Sequence, residues 1–375
     1  MKPLRFDPNS QTITQAYDRL RLAYARQSAA PPIVEPGIPV AAGDVQERFE
    51  SLDCMLDFAA AYANAMAASD NGWPPFIMNY CTVPMVPEVF GCPVHFPEGH
   101  DAATSPALTD IEGVWSLKPK PLLEARTVRR MFEWVDYAQL HMGTELCFWT
   151  ADIQSPFSVA AQIVQTDELM MACIANPKAV HHLCRMITDV TIDLMDRHLK
   201  QLERPGFPGA NFPCIPDPIG ICIADDTPLI MLHADMYREF ALPYNREISE
   251  HFGGVHIHCC GDYSRNLQTL FELPGLKSVQ VHAGPGEFPL PLTADEACAF
   301  NRARRELTIF VDTNSVARGD PYRNRNRKHY QDYVLPRLLN GELSGLILQG
   351  CGAEGPDFTA EDGLRWTREQ TRTIR

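Results

Sequence analysis

His258 and Cys260 stand two residues apart at the end of an apolar run, and Cys351 ends another such run near the C-terminal end of the sequence. Alternate residues of a strand share a face, so His258 and Cys260 point one way and Cys259 the other. One imidazole and two thiolates form a borderline-soft donor set that suits zinc better than magnesium, calcium or manganese. Three protein ligands with a replaceable fourth position is the arrangement of catalytic zinc, whereas four protein ligands would close the site. A core histidine beside a core cysteine is the competing reading, and Cys351 weighs against it.

Other polar residues end strand-like runs in the same way: Tyr80, Asp152 with Gln154 close behind, Asp225 with Asp226, His282 and Asp312. Asp225, Asp226, Asp152, Gln154 and Tyr80 are the candidates for contacting substrate, since a paired carboxylate can orient a polar group or take its proton. Helix N-capping is the structural alternative for the aspartates. It accounts readily for Asp312 and cannot account for the cysteines.

The elements that would position these residues follow a strand and helix rhythm. Apolar runs of strand length cover 75–80, 145–152, 220–225, 254–259, 276–282, 307–312 and 345–351, with long amphipathic stretches at 177–202, 235–252 and 321–339. Buried runs alternating with helices predict a parallel sheet covered on both faces. No Gly-rich nucleotide loop follows the first strand, which favours a single (β/α)₈ barrel over an open doubly wound sheet. Seven strands are visible, and the eighth is expected in the irregular section 85–125. In a barrel the strand C-termini form the active-site face, so the polar strand ends would meet there. Residues 1–45 read as an arm, helical around 14–26 and then Pro-rich, that wraps the outside of a barrel spanning 46–375. The stretch 45–69 reads as a helical extension.

Composition sets outer bounds. The 375 residues carry 33 Lys and Arg against 47 Asp and Glu, a formal charge of −14. Nucleic acid and anionic membrane surfaces are poor partners for such a chain. No apolar run approaches a membrane span, and the opening MKPLRFDPNSQT lacks a signal-peptide core, so the expected location is the cytoplasm. Twelve cysteines in a reducing compartment then read as buried hydrophobes or ligands rather than disulfides. The one basic run, 318–330, reads as a solvated face or a dock for an acidic protein.

Several segments carry a family resemblance. DIQSPFSVAAQI (152–163), NPKAVHHLCRMITD (176–189) and ADDTPLIMLHADMYREFALPYNREI (224–248) resemble the uroporphyrinogen decarboxylase superfamily. HIHCCGD (256–262) and ILQGCGAEGPDFTAEDG (347–363) resemble one branch of it, the zinc methyltransferases that methylate coenzyme M from a corrinoid protein. The resemblance covers about residues 140–375, and residues 1–130 carry little of it. It implies a barrel with zinc on His258, Cys260 and Cys351, a corrinoid (methylcobalamin) as partner cofactor, and a small thiol or methyl donor as substrate. A corrinoid protein would be the macromolecular partner. Cobalamin-independent methionine synthases share the His-x-Cys…Cys idea and place an acidic ligand 22 residues after the first cysteine, where this chain has His282. His282 is thus a fourth candidate ligand, or a wall of the pocket, with Glu287 a weaker candidate.

The metal-free decarboxylases of the superfamily carry an N-terminal Arg-Gln-Ala-Gly-Arg-Tyr motif that grips substrate carboxylates. Here the nearest region reads MNYCTVPMVPEVFG, so a polycarboxylate porphyrinogen lacks its counter-charge. Tetrapyrrole decarboxylation is the second reading, and a zinc-holding barrel that only binds a partner is the third. Zinc would hold an incoming thiol as thiolate, ready to take a methyl group from methylcob(III)alamin. In the reverse direction zinc would act as a Lewis acid on a methylated substrate.

Overall fold

A computed structural model of the chain describes residues 11–26, 33–34, 44–69, 75–77, 79, 83–98, 101–142, 146–203, 210–211, 215–216, 220–259, 261–282, 292–312, 337, 340 and 344–349. The fold is an α/β barrel of the (β/α)₈ type. Its main ladder is parallel throughout and runs Ile33–Val34, Leu346–Gln349, Thr308–Asp312, Leu276–His282, Val255–His258, Ile221–Ala224, Ile153–Gln154. A further parallel pair joins Phe76–Ile77 to Cys147–Phe148. The chain between Cys147 and Gln154 therefore changes neighbours: the Trp149 N–H donates to the Ile77 carbonyl, and the Ser155 N–H to that of Ala224.

All seven expected runs contain strands. The eighth does not lie in 85–125, which holds the helix Met85–Val89, the antiparallel pair Val94–His95 with Ala103–Thr104, and two 3-10 turns. That section is rich in Pro and Gly, which suits turns better than a central strand. The eighth position is taken by Ile33–Val34, so the arm expected to lie outside the barrel pairs with its last strand.

The strands form because their apolar residues are covered on both sides: every residue of Ile221–Ala224 is buried. The helix Pro177–Leu202 starts where Asn176 accepts the Ala179 N–H and Pro177 occupies the first turn, and it buries Val180, Leu183, Ile187 and Leu194 in the main core. The stretch 235–252 is two helices, Ala234–Phe240 and Leu242–His251. Pro243 has no N–H to continue the first helix, and its ring crowds the preceding turn. At the entrance to two strands, Gly220 (φ +108) lies so close to Gly254 that a Cβ would fall 1.6 Å from the Gly254 carbonyl oxygen. The expected helix at 321–339 lies outside the described residues apart from Arg337. No described helix is long and apolar enough to cross a membrane.

Candidate active site at the strand ends

Because the strands are parallel, Gln154, Ala224, His258, His282, Asp312 and Gln349 all end on the same side of the barrel. Register settles which of them share a row. His256 pairs with Cys222 and Ser278, and His258 pairs with Ala224. Side chains follow this row: the His256 Nδ1 lies 2.7 Å from the Ser278 hydroxyl, and the His258 Nδ1–H donates to the Gln280 side-chain oxygen. The opposite, odd-numbered face turns to the helices, since Asp225 accepts from Tyr237 and Asn245 there, so the even-numbered row of His256 and His258 faces the barrel interior. The odd-numbered neighbours Ile223, Ile257 and Cys259 are buried in the layer between strands and helices.

His258 is half-buried, and its ring is held by Gln280, which is buried. With Nδ1 engaged in this way, Nε2 is the nitrogen that would face a metal at the mouth. Below it, His256 is held neutral by burial and by the neighbouring His258 charge. Asp152 lies within the electrostatic reach of His258, Asp226 and Asp101, and accepts a hydrogen bond from Gln154. Burial raises the Asp152 carboxyl above the usual range, against the pull of His258. Cys222 feels both Asp152 and Asp226, and its thiol is pushed well above its ordinary value by burial.

The structure thus brings together Asp152, Gln154, Asp226 and His258 from three strand ends. It separates the aspartate pair. Asp226 stays half-buried on the interior side, whereas Asp225 is fully buried and turned to the helices. The Asp225 Oδ2 accepts from the Tyr237 hydroxyl at 2.6 Å and the Asn245 amide at 2.9 Å. Although Asp225 sits at the start of the helix Asp226–Met231, its side chain makes no capping hydrogen bond. Burial pushes its pKa up to about 7, against hydrogen bonds from Ser155, Tyr237 and Asn245.

Tyr80, Cys260, Cys351 and Glu287, with the basic run 318–330, lie outside the described residues. His282 and Asp312 are register partners on adjacent strands. Asp312 is in turn paired with Gln349, two residues before Cys351. Gln280 holds the His258 ring, and Asp101 lies within electrostatic reach of Asp152; neither was singled out from the sequence. Gln280 had a signal, since Ser278, Gln280 and His282 alternate along one strand. Asp101 had none, because it comes within reach of Asp152 from the irregular section that follows Phe76–Ile77.

The family model for Uroporphyrinogen decarboxylase (URO-D) matches residues 76–285. No curated protein matches the chain by sequence. Among solved structures, a methyltransferase from Methanosarcina mazei is similar in fold, with a TM-score of 0.64 and 15% identity, over 95% of this chain and 99% of that one. The family match begins upstream of the motifs that carry the resemblance in the sequence, and the structural match takes in most of the first 130 residues.

Proposed function

The chain belongs to the uroporphyrinogen decarboxylase family, and on that premise we propose that it is a zinc-dependent methyltransferase. It moves a methyl group between a corrinoid, carried by a partner protein, and a small thiol or methylated substrate. The observation that carries this reading is the setting of His258. Its ring is oriented by Gln280 at the barrel mouth, and the charges acting on the adjacent Asp152 are those of His258, Asp226 and Asp101. Among the described residues none of the charges acting on Asp152 is Arg or Lys, and this gives no support to a site that grips a polycarboxylate porphyrinogen for decarboxylation. The similar fold of the archaeal methyltransferase points the same way.

His258, Cys260 and Cys351 would hold the zinc, with His282 as the fourth candidate. Among the described residues no three ligand-type side chains gather, and Cys260 and Cys351 lie outside that set. The donor chemistry fits: an oriented imidazole with two thiolates suits zinc. Bound zinc would lower the pKa of an incoming thiol so that it is held as thiolate. Gln280 keeps the His258 ring in one tautomer. Asp226, which is half-buried, would take the thiol proton on its carboxylate. In the forward direction the thiolate would take the methyl group of methylcob(III)alamin, with cob(I)alamin as the leaving group; in reverse, a methylated substrate would give its methyl group to cob(I)alamin.

Purified protein should contain about one zinc per chain and transfer methyl from methylcobalamin to coenzyme M or another small thiol, followed as cob(I)alamin. Cys260→Ser and Cys351→Ser should lose most of the zinc and the activity while remaining folded by circular dichroism. Magnesium or no metal in freshly purified protein, or decarboxylation of a porphyrinogen by metal-free protein, would overturn the reading. Unfolding on metal loss would make the zinc structural.

A further inference from the structure

His198 lies in the helix Pro177–Leu202, behind the strands rather than in the barrel mouth, and its side chain is fully buried. Its Nε2 accepts the Ala151 backbone N–H at 3.1 Å and lies 3.5 Å from the Asn79 side-chain amide nitrogen. Two donors converging on one nitrogen make Nε2 the unprotonated one, so Nδ1 carries the hydrogen. The edge of the Phe132 ring system packs beside it, with centroids 6.3 Å apart and planes at 89°.

Both contacts fall one residue before a site candidate. Ala151 precedes Asp152, and Asn79 precedes Tyr80. Ala151 also sits where the chain leaves one strand partner for another, after Trp149 has donated to Ile77 and before Ser155 donates to Ala224. At such a switch point a backbone N–H drops out of the ladder, and in a buried layer it needs another acceptor. His198 supplies it. We propose that His198 is a positioning residue: from outside the barrel wall it ties the C-terminal ends of two neighbouring strands and so sets where Asp152 stands in the mouth. Burial pushes its pKa down to about 4, so the imidazole stays a neutral acceptor at working pH.

The kinetic consequence rests on the methyl-transfer reading, whereas the structural tie does not, so the test reads both. His198→Phe keeps an aromatic of similar shape and removes the acceptor. Amide hydrogen exchange of the holoprotein should rise about tenfold in the segment 149–154 and stay unchanged in the strands Val255–His258 and Leu276–His282. Zinc content should be unchanged. With methylcobalamin and a small thiol, kcat should fall about tenfold with KM within about twofold, because misplacement costs rate more than binding. His198→Gln, whose carbonyl reaches toward the position of Nε2, should restore both readouts, and the shorter His198→Asn should not. If His198→Phe does not fold, the contrast between Gln and Asn decides. Unchanged exchange at 149–154, a rise spread over the whole molecule, or equal behaviour of Gln and Asn would overturn the proposal. Wild-type protein without methyl transfer would remove the kinetic arm and overturn the proposed reaction, while local exchange would still decide for or against the tie.

Discussion

At the scale of single residues, Gln280 is the group on which the behaviour of His258 depends. A ligating histidine whose other N–H is anchored loses less freedom on binding metal and keeps the correct tautomer. Gln280→Leu removes the acceptor from a buried strand face, so zinc affinity should fall about 10- to 100-fold in chelator competition. Unchanged affinity would show that the ring is oriented by something else. Cys259 is the counter-case. It is fully buried and belongs to the apolar layer between strand and helix. Cys259→Ser should leave the zinc content unchanged and lower stability by about 1–3 kcal/mol, because a hydroxyl replaces a thiol in an apolar site. Zinc loss equal to that of Cys260→Ser would mean that the strand alternation fails at this point.

Between elements, Asp225 fastens a strand end to two helices through Tyr237 and Asn245. Its carboxyl titrates near 3.8 when free and at about 7 in the folded chain. A folded-state pKa above the unfolded one favours the folded state while the group is protonated. That contribution is complete below about pH 4 and is lost as pH rises through 7, about 4 kcal/mol at most. Asp225→Asn keeps an acceptor for Tyr237 and cannot ionise, so its unfolding free energy should decline less than wild type between pH 5 and 8 in denaturant titrations. Parallel curves would show that Asp225 is ionised throughout. His198 contributes with the opposite sign, since its pKa falls from 6.5 to about 4. Its share of stability is complete above pH 6.5 and is lost as pH falls through 4. Relative to wild type, Asp225→Asn and His198→Phe should therefore change the pH slope of the unfolding free energy in opposite directions.

Over the whole molecule, the arm is joined to the far end of the chain. The Arg26 guanidinium donates to the carbonyls of Asn301 and Leu307, and to the Asn301 side chain at 3.1 Å, while the Arg26 carbonyl accepts from the Ser344 hydroxyl at 2.9 Å. Arg26 itself holds a left-handed backbone, φ +52. Gly345 passes so close that a Cβ there would lie 2.4 Å from the Arg26 Nη1. These contacts bring the arm to the strand Leu346–Gln349, which carries the chain toward Cys351. Arg26→Ala should lower the unfolding free energy by about 2 kcal/mol, the scale of charged hydrogen bonds lost from a partly buried site. A loss below about 0.5 kcal/mol, the range of ordinary surface substitutions, would mean that the arm only rests on the barrel.

The sequence by itself determined what depends on residues close together along the chain. Seven strand runs, their polar C-terminal ends and the opposed faces of His258 and Cys259 all follow from local periodicity, because burial selects residue type every second position in a strand. Barrel topology then made the meeting of Asp152, Asp226 and His258 legible before any coordinates. Only the tertiary structure decided the rest. Asp225 and Asp226 are adjacent in sequence, and their division between helix layer and mouth depends on donors at Tyr237 and Asn245, which only helix packing brings near. The eighth strand came from the arm because Ile33–Val34 pairs with residues more than three hundred positions away, a contact no local pattern encodes. His198 gave no signal of its own: one histidine in an amphipathic helix acquires its role from an amide 47 residues upstream and another 119 upstream. Local pattern reports burial, and the partners met at that depth are set by how the chain closes on itself.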